Sequence, residues 1–138
     1  MLDKDRILSK LDELDSYLVE LESVMPKNYE EYVSSIEKKR SCERLLHILI
    51  ECTIDVCMLM VKGLRLGLPS NEEDLFEKLR KEGIISREME EKLKSMRGFR
   101  NILVHRYGEV DDELVFENLK NIDDFRKFRK QIISFLKK

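Results

Sequence analysis

Tryptophan is absent from this chain, proline occurs twice, glycine five times and glutamine once, at position 131. So little proline and glycine leaves few turn signals for hairpins, which weighs against an all-β fold and leaves material suited to helices. Cysteine is also scarce: Cys42, Cys52 and Cys57 make an odd set with no CxxC spacing. That excludes a paired disulfide framework and a zinc ribbon, and points to reduced thiols behaving as small buried hydrophobes. No apolar leader precedes the first charged residues, so a cytoplasmic location is expected.

Two further absences limit function. A membrane span needs about 20 apolar residues free of charge. The nearest candidate, LLHILIECTIDVCMLMV from Leu45 to Val61, is interrupted by Glu51 and Asp55, so it is read as buried in protein and no membrane association is expected. No glycine-rich phosphate loop occurs, and His47, Cys42 and the neighbouring acids lack metal-ligand spacing. Neither a P-loop nucleotide site, a metal nor another cofactor is therefore expected.

What is present fits one helical domain over residues 1–138. Apolar residues make up 42% of the chain and charged residues 39%. In the first helix, Asp3 to about Val24, residues Ile7, Leu11, Leu14, Leu18, Leu21 and Met25 form a single apolar stripe, and Pro26 ends it. A long helix is predicted from about Tyr29 to Leu66, with Gly63, Gly67 and Pro69 as stop signals and a kink possible in its first third. Its middle is apolar on nearly every side. Such a helix is either wrapped by the rest of one chain or covered by a second copy, and the second reading makes a dimer the expectation. Asn71 caps a short helix that stops at Gly83, Ser86 starts a fourth that ends at Gly108, and Asp111 or Asp112 opens a last one reaching the lysines at 137 and 138. The sum is an up-and-down bundle of about five helices.

The net charge of −2 argues against a surface built wholly to coat nucleic acid. Local charge differs. Between residues 87 and 106 lie six bases (Arg87, Lys92, Lys94, Arg97, Arg100 and Arg106) and three acids (Glu88, Glu90 and Glu91), an excess of +3. From Tyr107 to Leu119 there are five acids and no bases. The basic excess ends at RNILVHRY, residues 100 to 107, which holds one of the chain's two histidines.

On an ideal helix, turning about 100° per residue, Arg97, Asn101 and His105 share a face and Arg100 lies away from His105. Arg100 and His105 converge only if the helix loosens or ends between them. A histidine and two arginines near a helix C-terminus would also simply complement its dipole. His47, Glu51 and Asp55 recur at four-residue spacing on the long helix. That seam either faces the motif, one acid orienting Arg100 or His105, or is the solvated stripe of an amphipathic helix continued by Arg40, Arg44 and Lys62.

The pattern Arg-x4-His-x-Tyr, with Asn directly after the Arg, resembles the signature of HEPN ribonucleases, specifically the HepT-like toxins paired with a minimal nucleotidyltransferase antitoxin. The likeness extends through RSCERLLHILIECTIDVCMLMVKGL, LPSNEEDLFEKLRKEGIIS and EKLKSMRGFRNILVHRYGEVDDELVFENL, so roughly the whole chain is covered. The resemblance implies a helical bundle forming a two-fold dimer that cuts RNA, not DNA, without a metal. It further implies Arg100 and His105 as the catalytic pair, Asn101 as a polar neighbour, and Tyr107 as the residue to which the partner enzyme attaches AMP. Arg97, Glu51 and Asp55 are the expected supporting residues. The competing class is a non-catalytic helical adaptor that binds nucleotide or a nucleotidyltransferase.

Overall fold

A computed structural model describes residues 2–105 and 110–138 of the chain. The expected helix stop at Gly108 and the expected modification site Tyr107 lie outside the described residues. Among those described there are seven helices and no strand: α1 (Lys4–Val24), α2 (Tyr29–Val33), α3 (Ile36–Gly63), α4 (Glu72–Lys81), α5 (Arg87–His105), α6 (Asp112–Lys120) and α7 (Asp123–Leu136). The all-α expectation holds, but two of the expected helices are each divided.

Both divisions have local causes. At Ser34–Ser35 the backbone turns out of the helix, and the Ser35 side chain accepts a hydrogen bond from the Lys38 backbone N–H at 3.2 Å, restarting the chain as α3. At Asn121 the C-cap of α6 is followed by tight i→i+3 bonds, Asp124 N–H to the Asn121 carbonyl and Phe125 N–H to that of Ile122, which redirect the chain into α7. The other boundaries follow their predicted caps. Asp3, Asn71, Ser86 and Asp111 each accept a bond from a backbone N–H of the first turn. Met25, held extended by the following Pro26, closes α1.

The stop after α3 is of a different kind from the expected glycine signal. Gly63 lies inside the last turn, and the left-handed position falls on Arg65 at φ 54°. Leu66 N–H reaches the Val61 carbonyl and Arg65 N–H that of Lys62, the two bonds of a Schellman cap. Gly83, at φ 73°, fills the same role after α4 with no strain.

Packing begins from α1 and α3. Ile7, Leu11, Leu14, Leu18 and Leu21, the predicted stripe, are completely buried. The Cys52 thiol donates to the Lys10 carbonyl at 3.2 Å near one end of the pair, and the Lys38 ammonium donates to the Val24 carbonyl at 3.4 Å near the other, so the two helices run antiparallel. Helices α1, α2, α4, α5 and α6 all lie against α3. Its buried residues, from Cys42 through Leu49, Ile50, Ile54 and Val56 to Val61, therefore find their cover within one chain. These residues are thus wrapped by the rest of one chain, while Ile36 and Met58 of the same helix stay exposed. All three thiols are buried, as expected, and burial, with Glu13 adding its negative charge, pushes Cys52 up to about 11. No helix among the described residues is long and apolar enough to cross a membrane.

Helices α4 and α5 are tied by Glu90, whose carboxylate is 2% exposed. It accepts from Arg80 Nε of α4 at 2.7 Å and meets Lys94 Nζ at 3.3 Å. Burial alone would raise its pKa, but Arg80 and Lys94 outweigh that and hold it below the ordinary carboxylate value. A depressed carboxyl stabilises the fold above its unfolded pKa and loses that contribution as pH falls through the folded one. Glu90→Gln should therefore cost about 2 kcal/mol at pH 7 by urea denaturation, a charge-assisted bond's worth. The gap between wild type and variant should close as pH falls below about 4.

Candidate functional site

The site is assembled where the C-terminal half of α5 crosses the middle of α3 and the first turn of α4. Arg100, five residues before the last described residue of α5, is directed inward, its side chain only 12% exposed. A guanidinium so placed loses most of its hydration and must recover it from acceptors. Each of its three nitrogens finds one. One terminal nitrogen is hydrogen-bonded to Glu51 of α3, the other to Glu72 of α4, and Nε donates to Asn101 Oδ1 at 3.0 Å.

Arg97, one turn earlier on α5, donates from Nε to the same Glu72 oxygen at 3.0 Å. On the other side the His47 ring lies 3.7 Å from Glu51 Oε1, and Arg44 lies 3.4 Å from the far nitrogen of that ring. The polar groups thus form one chain across three helices, Arg44, His47, Glu51, Arg100, Glu72 and Arg97, in which acid and base alternate from Glu51 onward. Planar guanidinium groups suit this arrangement, since each fork can engage two carboxylates at once.

His105 occupies a different setting. It is the last residue of α5 and is exposed. The loosening expected between Arg100 and His105 does not occur, because α5 runs unbroken through both. Five residues on a regular helix separate two side chains by about 140° and 7.5 Å. The chain therefore directs Arg100 into the α3–α4 junction, while His105, the last described residue of α5, is exposed.

The expected supporting residues divide in the same way. Arg97, Asn101 and Glu51 gather on Arg100 or on its partner carboxylate. Asp55 does not join them. It is one turn further along α3, half exposed, and faces Lys10 of α1 at 3.6 Å. The seam His47–Glu51–Asp55 is therefore split, its first two members toward the motif and its third toward α1.

Glu72 is the site residue that sequence reading missed. It appears there only as one of three acids, Glu72, Glu73 and Asp74, opening α4, where any of them complements the helix dipole. Asp74 is drawn back to the Ser70 backbone N–H at 3.0 Å, and packing of α4 on α5 selects Glu72. Among the described residues no three His, Cys, Asp or Glu side chains gather into a set that could hold a metal ion.

Residues 14–132 match the family described as ribonuclease HepT-like. The chain belongs to the HepT-like ribonuclease family. It is 28% identical over 131 residues to the tRNA nuclease HepT of Aphanizomenon flos-aquae, a stretch covering 94% of this chain and 89% of that protein. It is 34% identical over 119 residues to a candidate RNase of Archaeoglobus fulgidus, covering 86% and 83% respectively. Its fold is that of a tri-AMPylated Shewanella oneidensis HEPN toxin solved in complex with MNT antitoxin. The TM-score is 0.86 at 24% identity, over 97% of this chain and 99% of that one. Within this HepT-like chain, Arg100, Asn101 and His105 are thus built on the final turns of the fifth of the described helices.

The alternating charges predict unequal effects of two acids. Glu72→Ala deprives Arg97 and Arg100 of their shared acceptor and should cost about 1 kcal/mol by denaturant titration, whereas Asp55→Ala, which breaks only a half-exposed pair, should cost under about 0.5 kcal/mol.

Proposed function

We propose that this HepT-like chain is the toxin of a toxin–antitoxin pair: a cytoplasmic, metal-independent endoribonuclease whose site is completed at the interface of a two-fold dimer. The observation that carries the reading is the intact Arg100-x4-His105 pair on α5 of a chain whose family is that of HepT ribonucleases.

Cleavage by the RNA's own 2′-hydroxyl forms a bond from that oxygen to phosphorus and breaks the bond from phosphorus to the 5′-oxygen. One group takes the 2′ proton, another gives a proton to the leaving oxygen, and a cation is needed for the crowded phosphate. Imidazole can take either proton role near neutral pH, a contribution of about 10² to 10⁴ in rate. A single histidine cannot serve as acid and base in one step. Two copies of the chain would bring two His105 rings, one neutral and one protonated, to the same phosphate. The outward position of His105 and the inward position of Arg100 support a shared groove, since a single α5 holds the two apart.

Arg100 in this reading is a positioned cation. Its carboxylates keep the planar guanidinium aimed, and a substrate phosphate would compete with Glu51, the more exposed of the two at 43% against 29% for Glu72. Asn101 and Arg97 are positioning residues that act through Arg100 and Glu72.

His105→Ala should lower the rate of cleavage of tRNA and mRNA by the purified dimer about 10² to 10⁴-fold, and Arg100→Ala should do at least as much. Excess EDTA should leave wild-type cleavage unchanged. Full activity in His105→Ala, or in an obligate monomer, would overturn the reading, and absence of cleavage by the wild type would favour a non-catalytic adaptor that binds nucleotide or a nucleotidyltransferase.

Regulation in this reading falls on Tyr107. A partner nucleotidyltransferase would join the phenol oxygen to the α-phosphorus of ATP, with pyrophosphate leaving. An AMP group two residues from His105 would present a phosphate to Arg100 and block RNA entry. Tyr107→Phe should then stay toxic when co-produced with the active partner. Protection of cells carrying Tyr107→Phe by that partner would contradict the assignment.

A further inference from the structure

The last fourteen residues of the chain, 125–138, contain six bases and no acid, in a protein whose net charge is −2. Their placement on α7 sorts these bases. Arg126 turns toward α1 and forms a forked pair with Glu22 at 2.7 and 3.2 Å. Lys127, Lys130 and Lys138, with Gln131 and Ser134 between them, recur at helical spacing along another face and line an open groove of about 640 Å³ against the start of α5. All three lysines are exposed.

The groove is compensated only at one lip. Lys92 of α5, which also lines it, is engaged by Asp124 at 2.9 Å and Glu88 at 3.2 Å, and Lys127 reaches Asp124 only at 4.0 Å. Among the described residues no carboxylate forms an ion pair with Lys130 or Lys138. Gln131 and Ser86 anchor the floor, the glutamine accepting from the Ser86 backbone N–H at 3.0 Å. Two lysines on one face of α7 and a third just past its C-terminal end, beside amide and hydroxyl donors, suit a ligand carrying several phosphates in a row.

We propose that this α7 groove is a second RNA-binding surface, gripping the phosphate backbone of a folded RNA away from the scissile bond. The proposal rests on the ribonuclease reading above and extends it to substrate selection. Lys92 lies thirteen residues before His105 on α5, about 20 Å along the helix axis at 1.5 Å per residue. That is about six stacked nucleotides at roughly 3.4 Å each. A fragment of four nucleotides at the catalytic pair does not reach the groove, whereas a tRNA does.

The test compares the triple variant Lys127→Gln, Lys130→Gln, Lys138→Gln with a control of equal charge, Lys4→Gln, Lys27→Gln, Lys62→Gln, on exposed lysines elsewhere. Bulk tRNA is titrated against each protein in the His105→Ala background over a range of salt. The groove triple should bind about tenfold more weakly than the control and show a log–log salt slope shallower by about two, since each phosphate that a lysine no longer neutralises removes about 0.7 to 0.9 from the slope. In the His105-intact protein the same changes should raise KM for tRNA without altering kcat, and should leave cleavage of a four-nucleotide RNA as it is. A charge-preserving Lys→Arg triple should bind as wild type. Equal weakening by groove and control triples would overturn the proposal, as would unchanged RNA binding with weakened association to an antitoxin, which would make the groove a protein-docking face. If the wild type neither binds nor cleaves RNA, the ribonuclease reading itself fails, an outcome distinct from either.

Discussion

The constraint on which this structure depends is the enclosure of α3. A helix buried from Cys42 to Val61 on nearly every face cannot be left to solvent, and five of the other six helices lie against it. Enclosure fixes where α4 and α5 cross it. It also makes a charge carried inward by a covering helix costly unless α3 supplies a partner. Arg100 of α5, its side chain 12% exposed, is such a charge, and the partner on α3 is the half-exposed Glu51. The candidate site is therefore the place where covering the core brings in an ion pair.

That origin explains why the pair is not a simple one. A guanidinium 12% exposed, facing one carboxylate, would keep unmet donors. The second carboxylate, Glu72, comes from the first turn of α4, where the helix dipole already favours a negative charge. Glu72 then also receives Arg97, so two cations and two anions balance locally. Arg100 is thereby rigid before any ligand arrives, and the cost of orienting it is met by folding. In the proposed reading an incoming phosphate would replace a carboxylate and would not have to order a loose side chain.

How much of this the sequence discloses depends on whether the signal is local. The stripe Ile7 to Leu21 and the caps at Asp3, Asn71, Ser86 and Asp111 are local, and each is where its residues imply. The breaks at Ser34–Ser35 and Asn121 are local too but weaker, because neither carries the glycine or proline that marks the other stops; a serine before Ile36 and an asparagine before two aspartates are their only signs. The left-handed stop at Arg65 defies residue preference altogether, since α3's last turn is closed by tertiary packing around Leu66 and Val61. Glu72 is the clearest non-local case. Twenty-eight residues separate it from Arg100, and nothing in the run of three acids singles it out. The motif itself is legible as a spacing, while the division of the seam, Glu51 inward and Asp55 to Lys10, requires the crossing angle of α5 on α3.

The unbroken course of α5 carries the last step. Sequence geometry places Arg100 and His105 on different sides of a regular helix, and the family pattern asks them to cooperate. One resolution is to distort the helix, but α5 is regular to its end. A helix so anchored by Glu90 at its start and by Glu51 and Glu72 further along has little freedom to unwind, because unwinding would strand the buried Glu90 carboxylate and the Arg100 guanidinium. The other resolution is to leave the helix intact and let a second molecule supply the missing side of the groove. The interactions that make Arg100 rigid are thus the same ones that keep it from His105 within one chain, so the second chain of the proposed dimer would answer a need of geometry.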